Sequence, residues 1–309
     1  MREQARRALP ALLLALAAAA APALLGRAAP SPGRADTTAA TAAAGSTAAA
    51  PAPPARAAVS DSADTPNAGA FTPWVDPDEA RRFAKVPWRL GEYFQFSIDW
   101  NGLNGGSSLM QVQNLTMVDG HRVYRIVTKT ESNSFVSKFY KVRDRAESYI
   151  DAESLTTRRF IKHLREGGYK KDLDVRFDQE DHKAVYADGD TVDVPAAVHD
   201  VLSAFYYVRT RPLPDGAVIR VPTHDNKTSY DMEVHVRGRE RIEVPAGKFD
   251  CVKVEPVLQS EGVFKSKGGL MVWLSDDERR IPVLVRSKIP IGSISVSLTD
   301  LRLAFTPRR

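Results

Sequence analysis

The chain has 309 residues, a formal charge of +5 and a single cysteine, Cys251. One cysteine excludes an internal disulfide, a cysteine-cluster metal site and a lipid attached to an N-terminal cysteine. Residues 1–29 carry four Arg and one Glu, so the remainder holds only +2, too little to mark a nucleic-acid binder.

At the N-terminus, Arg2, Arg6 and Arg7 precede an apolar run from Leu9 to Leu25, followed by small residues. This order reads as a secretory signal peptide within residues 1–29, cleaved between Ala20 and Ala29, and places the protein in the periplasm. An uncleaved membrane anchor is the alternative, although the run is at the lower limit for spanning a bilayer. Residues 30–70 are mostly Ala, Pro, Thr, Ser and Gly, with Val59 as the only large apolar side chain, a composition expected of a disordered spacer. Residues 71–309 are the size of one β-rich domain. It opens on "WVDPDEARRFAKVPW" (74–88), read as a short helix with Asp76 as N-cap and Pro77 in its first turn.

Strand patterns follow. "EYFQFSIDW" sets Phe94, Phe96, Ile98 and Trp100 on one face, and "NGLNGG" reads as the turn after it. "LDVRFD" (173–178), "YDMEVHVRG" (230–238) and "SISVSLTD" (293–300) alternate in the same way. "GLMVWLS" (269–275), which contains Trp273, is apolar almost throughout and is expected to be covered on both faces. "VPAGKF" (244–249) reads as a hairpin turn with Gly247 at positive φ. In the "WLSDDERRIPV" connection (273–283), Asp276 and Asp277 are expected to accept bonds from turn amides. Cys251 reads as a small buried hydrophobe. About a dozen strands are too many for one flat sheet. The fold class is therefore mainly β: a curled antiparallel sheet, as a barrel, half-barrel or β-spiral, with one short central helix packed against it.

That helix is "DVLSAFYYVRTRPL" (200–213), predicted over about Val198 to Thr210 and stopped by Pro212 and Pro214. Its spacing turns Val201, Leu202, Phe205 and Val208 to the sheet and leaves Tyr206, Tyr207 and Arg209 at the margin. It is expected to plug an open end of the curl, with a mobile lid as the alternative.

Four stretches, "GEYFQFSIDWNGLNGG" (91–106), "DVLSAFYYVR" (200–209), "VPAGKFDCVKVEP" (244–256) and "GGLMVWLSDDERRIPV" (268–283), resemble the bacterial family known as domain of unknown function 3108. The resemblance covers roughly residues 88–305. It implies an exported, β-rich envelope protein of a Gram-negative bacterium and supplies no activity.

Motifs for chemistry are sparse. There is no Gly-x-Gly-x-x-Gly, no phosphate-loop motif, no His-Glu-x-x-His and no Gly-x-Ser-x-Gly elbow. "GVFKSKGG" (262–269) has a phosphate loop's composition but not its spacing. "DGDTVDVPAAVH" (188–199) starts like a calcium loop but lacks its glycine and final Glu, and so reads as a turn. The His-Asp pairs at 199–200 and 224–225 carry no supporting motif. We therefore expect no catalytic, metal or cofactor residues. The candidate ligand or partner surface is Phe205, Tyr206, Tyr207, Arg209 and Trp273. The expected function is an exported, non-catalytic envelope protein that binds an apolar ligand such as a lipid, or an envelope protein. A hydrolase or transferase acting on envelope glycan or lipid is the alternative.

Overall fold

The computed structural model describes residues 86–257, 269–289 and 292–303. The signal peptide, the spacer, the 74–88 helix up to residue 85 and most of "GVFKSKGG" lie outside the described residues.

The first half holds β1 (Tyr93–Trp100), β2 (Leu103–Val118), β3 (His121–Ser132), β4 (Arg143–Asp151), β5 (Thr157–Glu166), β6 (Tyr169–Asp178), β7 (Lys183–Tyr186) and β8 (Thr191–Asp193). A helix, α1 (Val201–Arg209), intervenes. The second half holds β9 (Val218–Asp225), β10 (Thr228–Val244), β11 (Gly247–Val257), β12 (Leu270–Ser275), β13 (Pro282–Ile289) and β14 (Gly292–Arg302). Among the described residues, all fourteen strands form one antiparallel sheet in the order β8-β7-β6-β5-β4-β3-β2-β1-β14-β13-β12-β11-β10-β9. It consists of two meanders, β1–β8 and β9–β14, joined where β1 pairs with β14.

The period of two in the sequence is realised directly. Phe94, Phe96 and Ile98 of β1, Val175 and Phe177 of β6, Met232, Val234 and Val236 of β10, and Ile294, Val296 and Leu298 of β14 share one buried cluster. Many outward positions are polar and paired. Arg125 and Arg145 flank Glu147, Arg159 bonds Asp174, and Arg220 bonds Glu233. A strand sheet that spans lipid would carry an apolar band there instead. Among the described residues, no helix is long and apolar enough to cross a membrane.

The sheet curls. At the usual strand spacing of ~4.8 Å, the edges of a flat fourteen-stranded sheet would stand roughly 60 Å apart. Here the Tyr186 hydroxyl of β7 lies 2.6 Å from Nε2 of His224 on β9. Register shifts at Gln95/Phe96, Val112/Asn114 and Val236/Gly238 supply the extra residues that bend strands. The two edges do not merge into a ladder. One parallel bridge, His199 with Thr223, connects the segment before α1 to β9.

Several local expectations are refined. The turn after β1 is only Asn101-Gly102, both at positive φ, and "LNGG" already belongs to β2. Gly106 is required there because a Cβ would stand 2.2 Å from the Glu131 carbonyl oxygen. β12 is covered on both sides as expected. Leu270, Val272 and Leu274 join the main core, while Trp273 joins Ile242, Cys251, Val283 and Leu284 in a small cluster on the other face. Burial pushes the Cys251 thiol up to about 12, which leaves it an inert hydrophobe. Val244 and Gly247 pair across the Pro245-Ala246 turn, with Gly247 at φ 134°. Asp277 accepts the amides of Arg279 and Arg280, whereas Asp276 instead meets the guanidiniums of Arg239 and Arg280.

The helix is shorter than predicted and is turned about its axis. Asp200 is the N-cap in extended conformation, and its carboxylate accepts from the amides of Leu202 (2.8 Å) and Ser203 (3.0 Å). The helix therefore begins after Asp200, which corrects the predicted start at Val198. The buried face runs through Leu202, Tyr206 and Arg209, while Val201 and Phe205 are only half-buried. This reverses the expected placing of Phe205 inside and of Tyr206 and Arg209 at the margin. Tyr206 packs edge-on against Trp88 at 5.1 Å, and Arg209 finds a buried acid in Glu92.

Candidate functional site

The antiparallel strands give the curl two ends, and each carries its own constellation. The first end is closed by α1. At its N-terminus, Asp200 accepts from Ser148 Oγ of β4 (2.6 Å) and Thr157 Oγ1 of β5 (2.7 Å). At its C-terminus, the Arg209 guanidinium bonds both carboxylate oxygens of Glu92 (2.8 and 3.0 Å) and the Arg279 carbonyl (3.0 Å). Arg209 also lies over the Tyr206 ring at 4.9 Å. The helix is thus fastened at both ends to the sheet and its loops.

The seam between the two edges holds both His-Asp pairs, which motif reading dismissed. Lys227 N donates to the Tyr186 hydroxyl, which meets His224 Nε2 at 2.6 Å, and His224 Nδ1 meets Ser229 Oγ at 2.8 Å. Lys162 Nζ lies 3.2 Å from Asp225, and Lys171 donates to Asn226 at 2.7 Å. Lys227 takes both Asp188 and Asp190, which makes the calcium-like stretch a turn clamped by lysine. His199 Nδ1 lies 3.0 Å from Ser203 Oγ. This is not a nucleophilic triad, because the Asp200 carboxylate is spent on Ser148, Thr157 and the helix amides and does not orient His199. His199, Asp200, Lys162, Tyr186, His224 and Asp225 are buried, whereas Lys227, Asp188 and Asp190 lie at the exposed margin. Among the described residues, no group of three or more His, Cys, Asp or Glu is placed to hold a metal.

The seam predicts a pH response. Burial disfavours the charged ring and holds both His199 and His224 down at about 4, against an ordinary 6.5. Between pH 6.5 and about 4 the unfolded chain therefore binds protons that the folded seam refuses, and stability falls with pH across that window. Each imidazole accounts for up to ~3 kcal/mol. Glu166 works the other way. Burial and the Asp144 charge push its carboxyl up to about 8, so its contribution grows as pH falls from 8 toward 4.5. Comparing the denaturant midpoint at pH 7 and pH 4.5 in the wild type and in His224→Gln separates the two. The acid-side loss should shrink in the variant, and an unchanged loss would remove His224 from the account.

The second end, opposite α1, has a polar interior and an apolar rim. Inside, Ser108 Oγ meets Thr130 Oγ1 at 2.9 Å, and Asp144 accepts the Arg165 amide at 2.8 Å. On the rim, Leu103, Phe135 and Phe139 are 72, 67 and 77 % exposed; among the described residues the other exposed large hydrophobes are Met117, Val185 and Val218, at 58, 43 and 45 %. The two phenyl rings stand edge-on at 5.8 Å, presented by the 3-10 turn Val136–Lys138. The loop is braced rather than loose. Asn133 donates to the Asn104 carbonyl (2.7 Å) and accepts the Val136 amide (2.8 Å), and Ser132 Oγ meets Ser137 Oγ at 2.7 Å. Tyr140 packs over Gly167, where a Cβ would come within 2.7 Å of its ring. Beside the rim, on the outer face, lies a trough of about 440 Å³ lined by Gln95, Ser97, Ser107, Glu131, Asn133 and Thr299.

The five residues expected to form one ligand surface do not come together. Tyr206 and Arg209 are enclosed within the plug, and Phe205 and Tyr207 are half-buried beside it. Trp273 lies on the outer side of β12, where its Nε1 donates to Glu240 at 2.8 Å. The rim aromatics were missed. Their signal was present in "SFVSKFYK" (134–141), in which Phe135 and Phe139 recur four residues apart with lysines between and after them.

Fold and site together define a single curled antiparallel sheet stoppered by a helix at one end and rimmed with aromatics at the other. The profile of the family described as protein of unknown function (DUF3108) matches residues 95–299, and the chain belongs to that family. The fold is similar to a β-barrel-like protein of domain of unknown function DUF1849 from Brucella abortus (TM-score 0.48, 10 % identity, 70 % of this chain and 99 % of that one). It is also similar to a DUF1089 family protein from Pseudomonas aeruginosa (TM-score 0.32, 14 % identity, 59 % of this chain and 89 % of that one). A search of curated proteins finds no match.

Proposed function

We propose that the protein is exported through its N-terminal basic-apolar segment and works in the periplasm as a non-catalytic docking protein of the envelope. The observation that carries this reading is the braced aromatic rim formed by Leu103, Phe135 and Phe139. The plugged end and the interior favour docking over capture of a lipid within the curl. One continuous cluster of side chains runs from β1 through α1 to β14, and the polar groups described at the seam are paired with one another.

A photoreactive amino acid in place of Phe139 tests the proposal in cells. Irradiation should give adducts with phospholipid or an envelope protein, while the same group in place of Glu153, at the plugged end, gives none. Equal labelling at both positions, or none at Phe139, would remove the rim as the working surface.

A further inference from the structure

The rim loop carries unpaired cations beside its aromatics. Lys138, Lys141 and Arg143 are exposed, and among the described residues none of them enters an ion pair, whereas Arg125, Arg145, Arg159 and Arg220 on the outer sheet are all matched to acids. Glu131 stands across from Arg143 in the β3–β4 register, Asp144 and Glu166 are buried, and the remaining acids near this end are matched: Asp99 is half-buried and bonds Ser97 and Asn104, and Asp172 pairs with His163 and Arg165. The loop therefore presents three exposed cations against one exposed acid, around two phenyl rings held out into solvent.

We propose that this loop docks on an anionic bilayer surface, with Phe135 and Phe139 entering the headgroup–acyl boundary while Lys138, Lys141 and Arg143 meet lipid phosphates. The inference rests on the rim being the working surface and adds what occupies it. An apolar protein partner would be served by the rings alone. Rings interleaved with unmatched cations fit a surface that is apolar below and negatively charged above. The bracing by Asn133 and Ser132 means that little ordering is required on contact.

A site-specific label on the full chain makes the test independent of the N-terminal apolar run. Cys251 is 1 % exposed with its thiol pushed up to about 12, so a new cysteine at exposed Ser134 (Ser134→Cys) takes a nitrobenzoxadiazole label selectively. The label should brighten and shift to the blue on vesicles of phosphatidylcholine with phosphatidylglycerol, and much less on phosphatidylcholine alone. A label at Glu153→Cys should stay silent on both. Phe135→Ser with Phe139→Ser should abolish the response. Lys138→Glu with Lys141→Glu should raise the half-saturating lipid concentration about tenfold or more. Both double variants change exposed residues, so they should melt with the parent and differ only in binding. An equal response to both vesicle types overturns the anionic assignment, and no response to either overturns lipid docking altogether. An equal response at Glu153→Cys shows unspecific adsorption and also overturns it. Protein adducts at Phe139 in cells, combined with silence on vesicles, would retain the rim and reject the bilayer.

Discussion

Arg209→Met should destabilise the protein by ~3–5 kcal/mol, because it strands the carboxylate of Glu92 in the core. Both side chains of this pair are essentially inaccessible, 0 and 2 % exposed, and Glu92 loses both of its guanidinium bonds in the variant. The Arg279 carbonyl loses its donor as well. The informative companion is the double variant Glu92→Met with Arg209→Met. Removing both charges leaves no orphan, and replacing a buried ion pair by apolar side chains is often neutral or better. Urea unfolding should therefore rank the double variant well above Arg209→Met. If the two unfold alike, the guanidinium contributes through packing on Trp88, Phe94 and Tyr206 and not through its charge.

Tyr206→Ala should cost a similar ~3–5 kcal/mol, the range for emptying a buried aromatic site. Tyr206 has no exposed surface and packs edge-on against Trp88. Phe205→Ala, one residue earlier on the half-buried side, should cost only ~1–2 kcal/mol. Tyr206→Phe is expected to stay within ~1 kcal/mol of the wild type. The hydroxyl approaches Arg209 without a well-formed hydrogen bond, so its removal leaves little unsatisfied. Thermal melts of the three variants settle the helix face, and a larger loss at Phe205 than at Tyr206 would return the face to the one hydropathy suggests.

That reversal marks where local reading stops. The strands were legible because a half-buried sheet imposes a period of two on every stretch that forms it, and β1, β6, β10 and β14 each show that period without help from the rest of the chain. The helix was legible as a helix, from its spacing and the prolines after it. Its inner face was not, because an arginine reads as solvent-facing until its acid is known, and Glu92 lies 117 residues upstream. The seam hid for the same reason. His224 and Asp225 become buried only when β9 reaches Tyr186 and Lys162, on strands far away in sequence. The rim differs in kind. Phe135 and Phe139 with their lysines were readable at short range, but an aromatic pair in a β-rich chain looks like core until the sheet is seen to leave it outside.

The single join between β1 and β14 governs how the molecule assembles. Among the described residues, every other ladder links strands that follow one another in sequence, so each meander can form by itself from local hairpins. The join connects residues such as Gln95 and Thr299, 204 positions apart, and closing so long a loop is entropically costly and slow. Folding should therefore pass through two preformed halves that meet late, with Glu92 beside the join as part of the latch that Arg209 completes. Until then each half exposes an unpaired strand edge along its whole length, and any factor that guards the nascent protein has to cover β1 and β14.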